Sequence, residues 1–107
     1  MIQDIPLDLP AHEAKNAAAF LRSLANEHRL QILCRLAHGE RSVGELNQYV
    51  PLSASAFSQH LAVLREQGLV QFRKQAQTIF YSIRDPDTLA FIQLLQAKFC
   101  ASYTPSS

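Results

Sequence analysis

The stretch "SVGELNQYVPLSASAFSQHLAVLREQGLV", Ser42 to Val70, decides the fold. Its first four residues form a capping box, in which Ser42 accepts from the third amide and Glu45 reaches back to the serine N–H. Pro51 stops the short helix that follows, since proline cannot continue a helix. Ser53 is a fresh N-cap, and Gly68 ends the second helix. Two capped helices with a tight break between them predict a helix-turn-helix.

The second of these helices opens with "SASAFSQH", which has an unusually small and polar outer face. Its apolar residues Phe57, Leu61 and Leu64 share one side at helical spacing. The other side suits entry into a DNA major groove, because small side chains permit close approach and polar ones hydrogen-bond to base edges or phosphates. A capped, merely solvated face is the alternative. The predicted recognition residues are Ser53, Ala54, Ser55, Ser58, Gln59 and His60.

The pattern changes period after Gly68. The segments "LVQFRKQ" and "QTIFYSI" alternate apolar and polar residues, as half-buried strands do. No Asn-Gly or Asp-Gly pair connects them, so the turn type stays open. The hairpin predicts a wing beside the helix-turn-helix, with DNA contacts from Arg73, Lys74, Gln75 and Gln77.

Helical patterns flank this unit on both sides. An alanine-rich amphipathic segment runs from Pro10, a second helix lies between Asn26 and Gly39, and a last helix starts at Asp85. The predicted fold is therefore mainly α with a β-hairpin wing: a winged helix-turn-helix of four helices, two strands and a fifth helix. We expect one domain over residues 10–102, with tails over 1–9 and 103–107.

Composition narrows the class of protein. The 107 residues suffice for one core, and no run approaches the ~18 apolar residues of a membrane span. No signal peptide is evident, so a cytoplasmic protein without a membrane partner is expected. Net charge is only +1. Residues 53–84, however, carry four basic side chains against one acidic, which places positive charge where double-stranded DNA would bind.

The segment from Asn26 to Ile83 resembles the ArsR/SmtB family of winged-helix repressors. The resemblance rests on "LSASAFSQHLAVLREQGLV", Leu52 to Val70, followed by Arg73, Gln77 and Tyr81, and it covers about residues 14–102. It implies a homodimer joined through the first and last helices, with the two recognition helices presented to successive major grooves. The apolar faces of those two helices fit, because a small chain would otherwise expose them.

Many members of that family sense metals, but the residue patterns here do not favour it. The third helix has no cysteine pair, and the last helix has Asp85 and Asp87 without a histidine. Zinc usually takes four nitrogen, sulfur or oxygen ligands. We therefore expect no metal and no cofactor. A metal-responsive repressor, or one that answers to no ligand, remains an alternative.

Two cysteines remain, Cys34 on the second helix and Cys100 near the end of the last. On chemistry alone, both are expected to be small buried hydrophobes. The resemblance points elsewhere, because the dithiol (BigR/SqrR/HlyU-like) branch of the family carries cysteines on these two helices. It implies a redox sensor in which reactive sulfur species or oxidants link the thiols. In a reducing compartment such a link would be a signal.

Two other classes of protein were weighed. An enzyme with a nucleophilic cysteine needs an activating base and a substrate pocket, and no residue order here predicts either. A winged-helix module that binds protein keeps the same fold. Duplex DNA binding with a steep salt dependence would separate a regulator from that module.

Overall fold

A computed structural model describes residues 8–100. The predicted tail 103–107 and residues 101–102 of the predicted domain lie outside the described residues, as does most of the tail 1–9. The chain forms five helices and three strands. In order, they are α1 (Ala11–Leu24), α2 (Glu27–Leu36), β1 (Arg41–Ser42), α3 (Val43–Tyr49), α4 (Ala54–Glu66), β2 (Val70–Gln75), β3 (Thr78–Ile83) and α5 (Pro86–Phe99). The winged helix-turn-helix prediction is confirmed.

Local capping chemistry sets the helix boundaries. The Asn26 side chain accepts from the first-turn amides of α2 at 2.9 and 3.0 Å. Both halves of the capping box form: Glu45 N donates to Ser42 Oγ at 3.1 Å, and Ser42 N donates to Glu45 Oε1 at 2.9 Å. Removing such a cap typically costs ~1 kcal/mol. These polar contacts are local, which is why the sequence predicts them.

The turn of the helix-turn-helix is held by a side chain that the sequence did not single out. Asn47 Nδ2 donates to the carbonyl oxygens of Val50 and Leu52, at 3.2 and 3.1 Å. Both carbonyls belong to the break around Pro51, where no helix hydrogen bond is available. One amide on α3 therefore fixes the path of the chain into α4.

The core lies where α2, α4, α5 and the sheet meet. Phe57, Leu61 and Leu64 bury the inner face of α4, as predicted. Full burial of such a side chain contributes roughly 1.5–3 kcal/mol. The remaining core residues are Leu24, Ile32, Leu33, Leu36, Leu46, Val50, Leu69, Val70, Tyr81 and Ile92. Packing on three sides fixes how the outer face of α4 is presented.

The sheet has one strand more than predicted. β2 and β3 form the expected antiparallel hairpin, and β1 pairs with β3 through Arg41↔Tyr81 and Ser42↔Phe80. A two-residue strand has no period to detect, so sequence patterning misses it. Ser42 thus belongs to the sheet and also caps α3. No helix within residues 8–100 is long and apolar enough to span a bilayer.

Candidate nucleic-acid interface and thiol site

The start of α4 presents a small polar surface. Five of the six predicted recognition residues are exposed, while Phe57 beside them is buried. Ser53 is also the N-cap, since its side chain accepts from Ala56 N at 3.2 Å. The exposed set is Ser53, Ala54, Ser55, Ser58 and Gln59. The helix therefore has a slim outer face, with free amides at its N-terminus that favour a phosphate.

The sixth residue, His60, is half-buried and faces α2. Its Nδ1 lies 3.2 Å from an Arg29 guanidinium nitrogen, and its ring centroid lies 5.7 Å from that of His28. Arginine can only donate, so His60 Nδ1 is the acceptor and carries no proton. Arg29 also donates to the carbonyls of Ser23 and Arg22, at 2.6 and 3.2 Å. One guanidinium thus ties α4 to the end of α1.

This arrangement makes stability depend on pH. Burial, then Arg29, then His28 lower the pKa of His60 below its ordinary value. A neutral His60 is therefore favoured by folding, and its contribution is complete above about pH 6.5 and lost as pH falls below it. We expect the unfolding free energy in urea to drop between pH 7.5 and 5.5. In His60→Gln, whose amide oxygen also accepts but does not titrate, that drop should be smaller; parallel curves would contradict it.

The two adjacent basic residues of the wing have different surroundings. Arg73 reaches Glu40 through two hydrogen bonds of 2.8 Å, and its guanidinium carbon lies 4.6 Å from the centre of the Phe80 ring. That pairing lowers the pKa of the Glu40 carboxyl. Lys74 points to the other face of the hairpin, because side chains alternate along a strand. Lys74 makes no ion pair to any group in residues 8–100.

A second arginine connects the recognition helix to the wing. Arg65 NH1 donates to the Tyr81 hydroxyl at 2.8 Å, and its guanidinium carbon lies 5.5 Å from the centre of the Phe72 ring. The sequence analysis counted Arg65 only as positive charge. Its partner Tyr81 is sixteen positions away along the chain, and no local pattern marks the contact.

The two cysteines meet at the other side of the molecule. Cys34 is half-buried on α2, Cys100 is exposed at the C-cap of α5, and both are free thiols. They line one cavity of about 410 Å³ with Arg35, His38, Tyr49 and Gln96. Burial, and next the neighbouring Cys100, raise the pKa of the Cys34 thiol. Within residues 8–100, no group of three or more His, Cys, Asp or Glu side chains could hold a metal ion.

Comparison with known proteins agrees with this architecture. A family model described as "Bacterial regulatory protein, arsR family" matches residues 26–71. The chain is 48% identical over 101 residues to the transcriptional activator HlyU of Vibrio cholerae serotype O1, covering 92% of this chain and 94% of that protein. The chain belongs to the ArsR family. It is therefore a DNA-binding transcriptional regulator and not an enzyme.

Other relatives extend the ArsR comparison. Identity is 41% over 100 residues to the biofilm growth-associated repressor of Agrobacterium fabrum, covering 94% of this chain and 86% of the relative. Reduced HlyU from Vibrio cholerae superimposes with a TM-score of 0.80 at 49% identity, over 84% of this chain and 95% of that one. The homodimeric winged helix-turn-helix domain of Mb0332 from Mycobacterium bovis gives 0.76 at 30% identity, over 92% and 91%.

Proposed function

We propose that this ArsR-family protein is a homodimeric repressor whose operator binding is switched off when oxidants or reactive sulfur species link Cys34 to Cys100. The observation that carries the proposal is the shared cavity. It brings both thiols together with Tyr49, which lies on α3, the first helix of the helix-turn-helix. A link made there changes packing beside the DNA-binding unit. The protein works where its operator lies, in the cytoplasm, so the thiols rest in the reduced state.

Exposed apolar side chains support the dimer. Leu94 and Phe99 on α5 are 62% and 69% exposed, and Leu21 on α1 is 50% exposed. Leu9 lies just before α1 and is 61% exposed. Large apolar side chains gathered on two helices are typical of an interface. A symmetric pair would bury them and present two α4 helices to DNA half-sites.

The reading of bases is assigned to Gln59. It is exposed on the same face of α4 as Ser55 and Ser58, and glutamine can bond an adenine edge through two hydrogen bonds. Gln59→Ala should lower the preference for operator over random DNA by about 1–3 kcal/mol, measured by competition binding at one salt concentration. Gln67→Ala, the same change at the far end of the helix, is the control. An unchanged preference in Gln59→Ala would remove this residue from the reading set.

The wing contributes charge through Lys74 and, after an exchange of partners, Arg73. Lys74→Gln should flatten the slope of log affinity against log salt by about one unit per wing. Arg73→Gln should flatten it less, because Arg73 must leave Glu40 before it binds a phosphate. Glu40→Gln frees Arg73 and should strengthen binding to all sequences. Equal slopes in Lys74→Gln and the unaltered protein would show that the wing does not contact the backbone.

The direct test of the switch is a gel shift on DNA upstream of the protein's own gene. Reduced protein should bind, and protein treated with polysulfide should be released. Mass spectrometry of the treated sample should show one intrachain link between Cys34 and Cys100. Equal binding in the two states, with the link confirmed to be present, would refute the proposal.

A further inference from the structure

The thiol cavity also contains groups suited to recognising an anion. Arg35 and His38 line it, and the Arg35 guanidinium carbon lies 4.4 Å from the centre of the Tyr49 ring. Stacking of this kind holds the planar cation in place while its N–H edges remain available. Glu45 is near enough to feel the charge of Arg35. Its carboxylate, however, is engaged with Ser42, and Arg35 makes no salt bridge within residues 8–100.

The size of the cavity narrows the class of anion. A water molecule occupies about 30 Å³ in the liquid, so the 410 Å³ cavity has room for roughly a dozen. An inorganic polysulfide of a few sulfur atoms would fill only part of that space and would leave Arg35 or the thiols without contact. A persulfide of a small peptide thiol fills it better. Such a donor brings reactive sulfur at one end and a carboxylate at the other.

We infer, on the basis of the proposed function, that this cavity binds an anionic organic persulfide, that Arg35 and His38 hold its carboxylate, and that Cys100 attacks it first. Arg35 and a carboxylate form the paired hydrogen bonds that suit both groups. His38 adds a single imidazole N–H donor. Recognition of the donor's charged end therefore places its sulfur next to the thiols.

Accessibility assigns the order of the two thiols. Cys100 is exposed at the mouth of the cavity, whereas Cys34 is half-buried on α2. The thiolate is the attacking species, and the raised pKa of Cys34 makes its thiolate the scarcer where the site is still reduced. Cys34 therefore acts second, as the thiol that closes the link.

The reaction balances without a further oxidant. The Cys100 thiolate attacks the outer sulfur of the persulfide, the sulfur–sulfur bond of the donor breaks, and the donor leaves as a thiolate. Cys100 now carries a persulfide. The Cys34 thiolate attacks the Cys100 Sγ and expels hydrosulfide, which leaves a disulfide. The two cysteines lose two electrons, the transferred sulfur gains them, and the two leaving groups take up the protons that the cysteines released.

The test compares three reagents on one set of variants. Reduced protein is mixed with glutathione persulfide, with inorganic tetrasulfide, or with the uncharged oxidant diamide, and the rate of link formation is followed by mass spectrometry of quenched samples. Arg35→Gln should slow the reaction with glutathione persulfide at least tenfold. Arg35→Lys should keep most of the rate, and His38→Gln should lose a smaller factor. Rates with diamide should be the same in all four proteins.

Each result has one meaning. Equal rates with glutathione persulfide in Arg35→Gln and the unaltered protein overturn the binding site, as does a reaction with tetrasulfide alone. Linking in the unaltered protein keeps the proposed function standing in both cases; no linking with any reagent overturns the proposed function itself. Binding of the operator by each reduced variant verifies its fold, and Arg35→Lys and His38→Gln keep the test open if Arg35→Gln does not fold.

Single cysteine variants test the order. Cys34→Ser should accumulate a persulfide on Cys100 when glutathione persulfide is added, because the second step is blocked. Cys100→Ser should leave Cys34 unmodified over the same time. Modification of Cys34 in Cys100→Ser as fast as that of Cys100 in Cys34→Ser overturns the order.

Discussion

Leu94→Glu is expected to convert the protein to a folded monomer and to lower its operator affinity at least ~100-fold. Leu94 is 62% exposed on α5 and lies on the opposite side of the helix from the buried Ile92. The fold itself therefore does not need this side chain. In the proposed dimer, two copies of an unpaired carboxylate would be buried, which costs several kcal/mol, and ~2.7 kcal/mol already amounts to a hundredfold.

The measurements for this change are sedimentation equilibrium and titration of operator DNA. Gln93→Glu is the matched control, since it places the same charge one position away on an exposed site of α5. It should remain dimeric and bind DNA. A dimeric Leu94→Glu protein with full operator affinity would move the interface away from this face of α5.

Replacing either cysteine with serine should abolish the response to oxidants while leaving DNA binding by the reduced protein nearly unchanged. Serine is close in size to cysteine, and neither thiol belongs to the buried core. The unaltered protein should lose at least tenfold in affinity on linking, which requires a difference of only ~1.4 kcal/mol between the states. α2 and α5 pack directly against each other, and Gln96 Nε2 donates to Cys34 O at 3.3 Å. A link between these helices therefore acts where they already touch.

Titration of operator DNA before and after treatment with polysulfide measures this effect. The double variant Cys34→Ser/Cys100→Ser controls for damage elsewhere in the chain, because it keeps every other oxidisable group. Release of DNA by the treated double variant would show that the response starts at a different residue. The cysteines would then be ordinary packing residues.

The sequence predicted what depends on neighbouring residues. Capping by Asn26 and Ser42, the break at Pro51 and the buried side of α4 all follow from residues within a few positions of one another. The hairpin turn was less accessible. Ala76 adopts φ +57°, a left-handed conformation that alanine rarely takes, so no glycine or asparagine marked the turn.

Contacts between distant residues could not be predicted. Arg29 and His60 are 31 positions apart, and Arg73 and Glu40 are 33 apart. Each pair depends on how α4 or the wing packs on the rest of the fold, and single-residue properties do not encode that packing. His60 was predicted to face DNA through its whole ring, whereas Nδ1 is already engaged by Arg29. A role for this residue at DNA stays a prediction for the other ring nitrogen.

The double membership of Ser42 has a mechanical consequence. One residue caps α3 with its side chain and pairs with β3 through its backbone, so α3 and the wing cannot tilt independently. The Arg65–Tyr81 hydrogen bond couples α4 to the same sheet. The DNA-binding half of each subunit is consequently a rigid reading head. A strain introduced at the thiols turns that head as a whole, and the two heads of a dimer lose their match to the pitch of the double helix while each keeps its own shape.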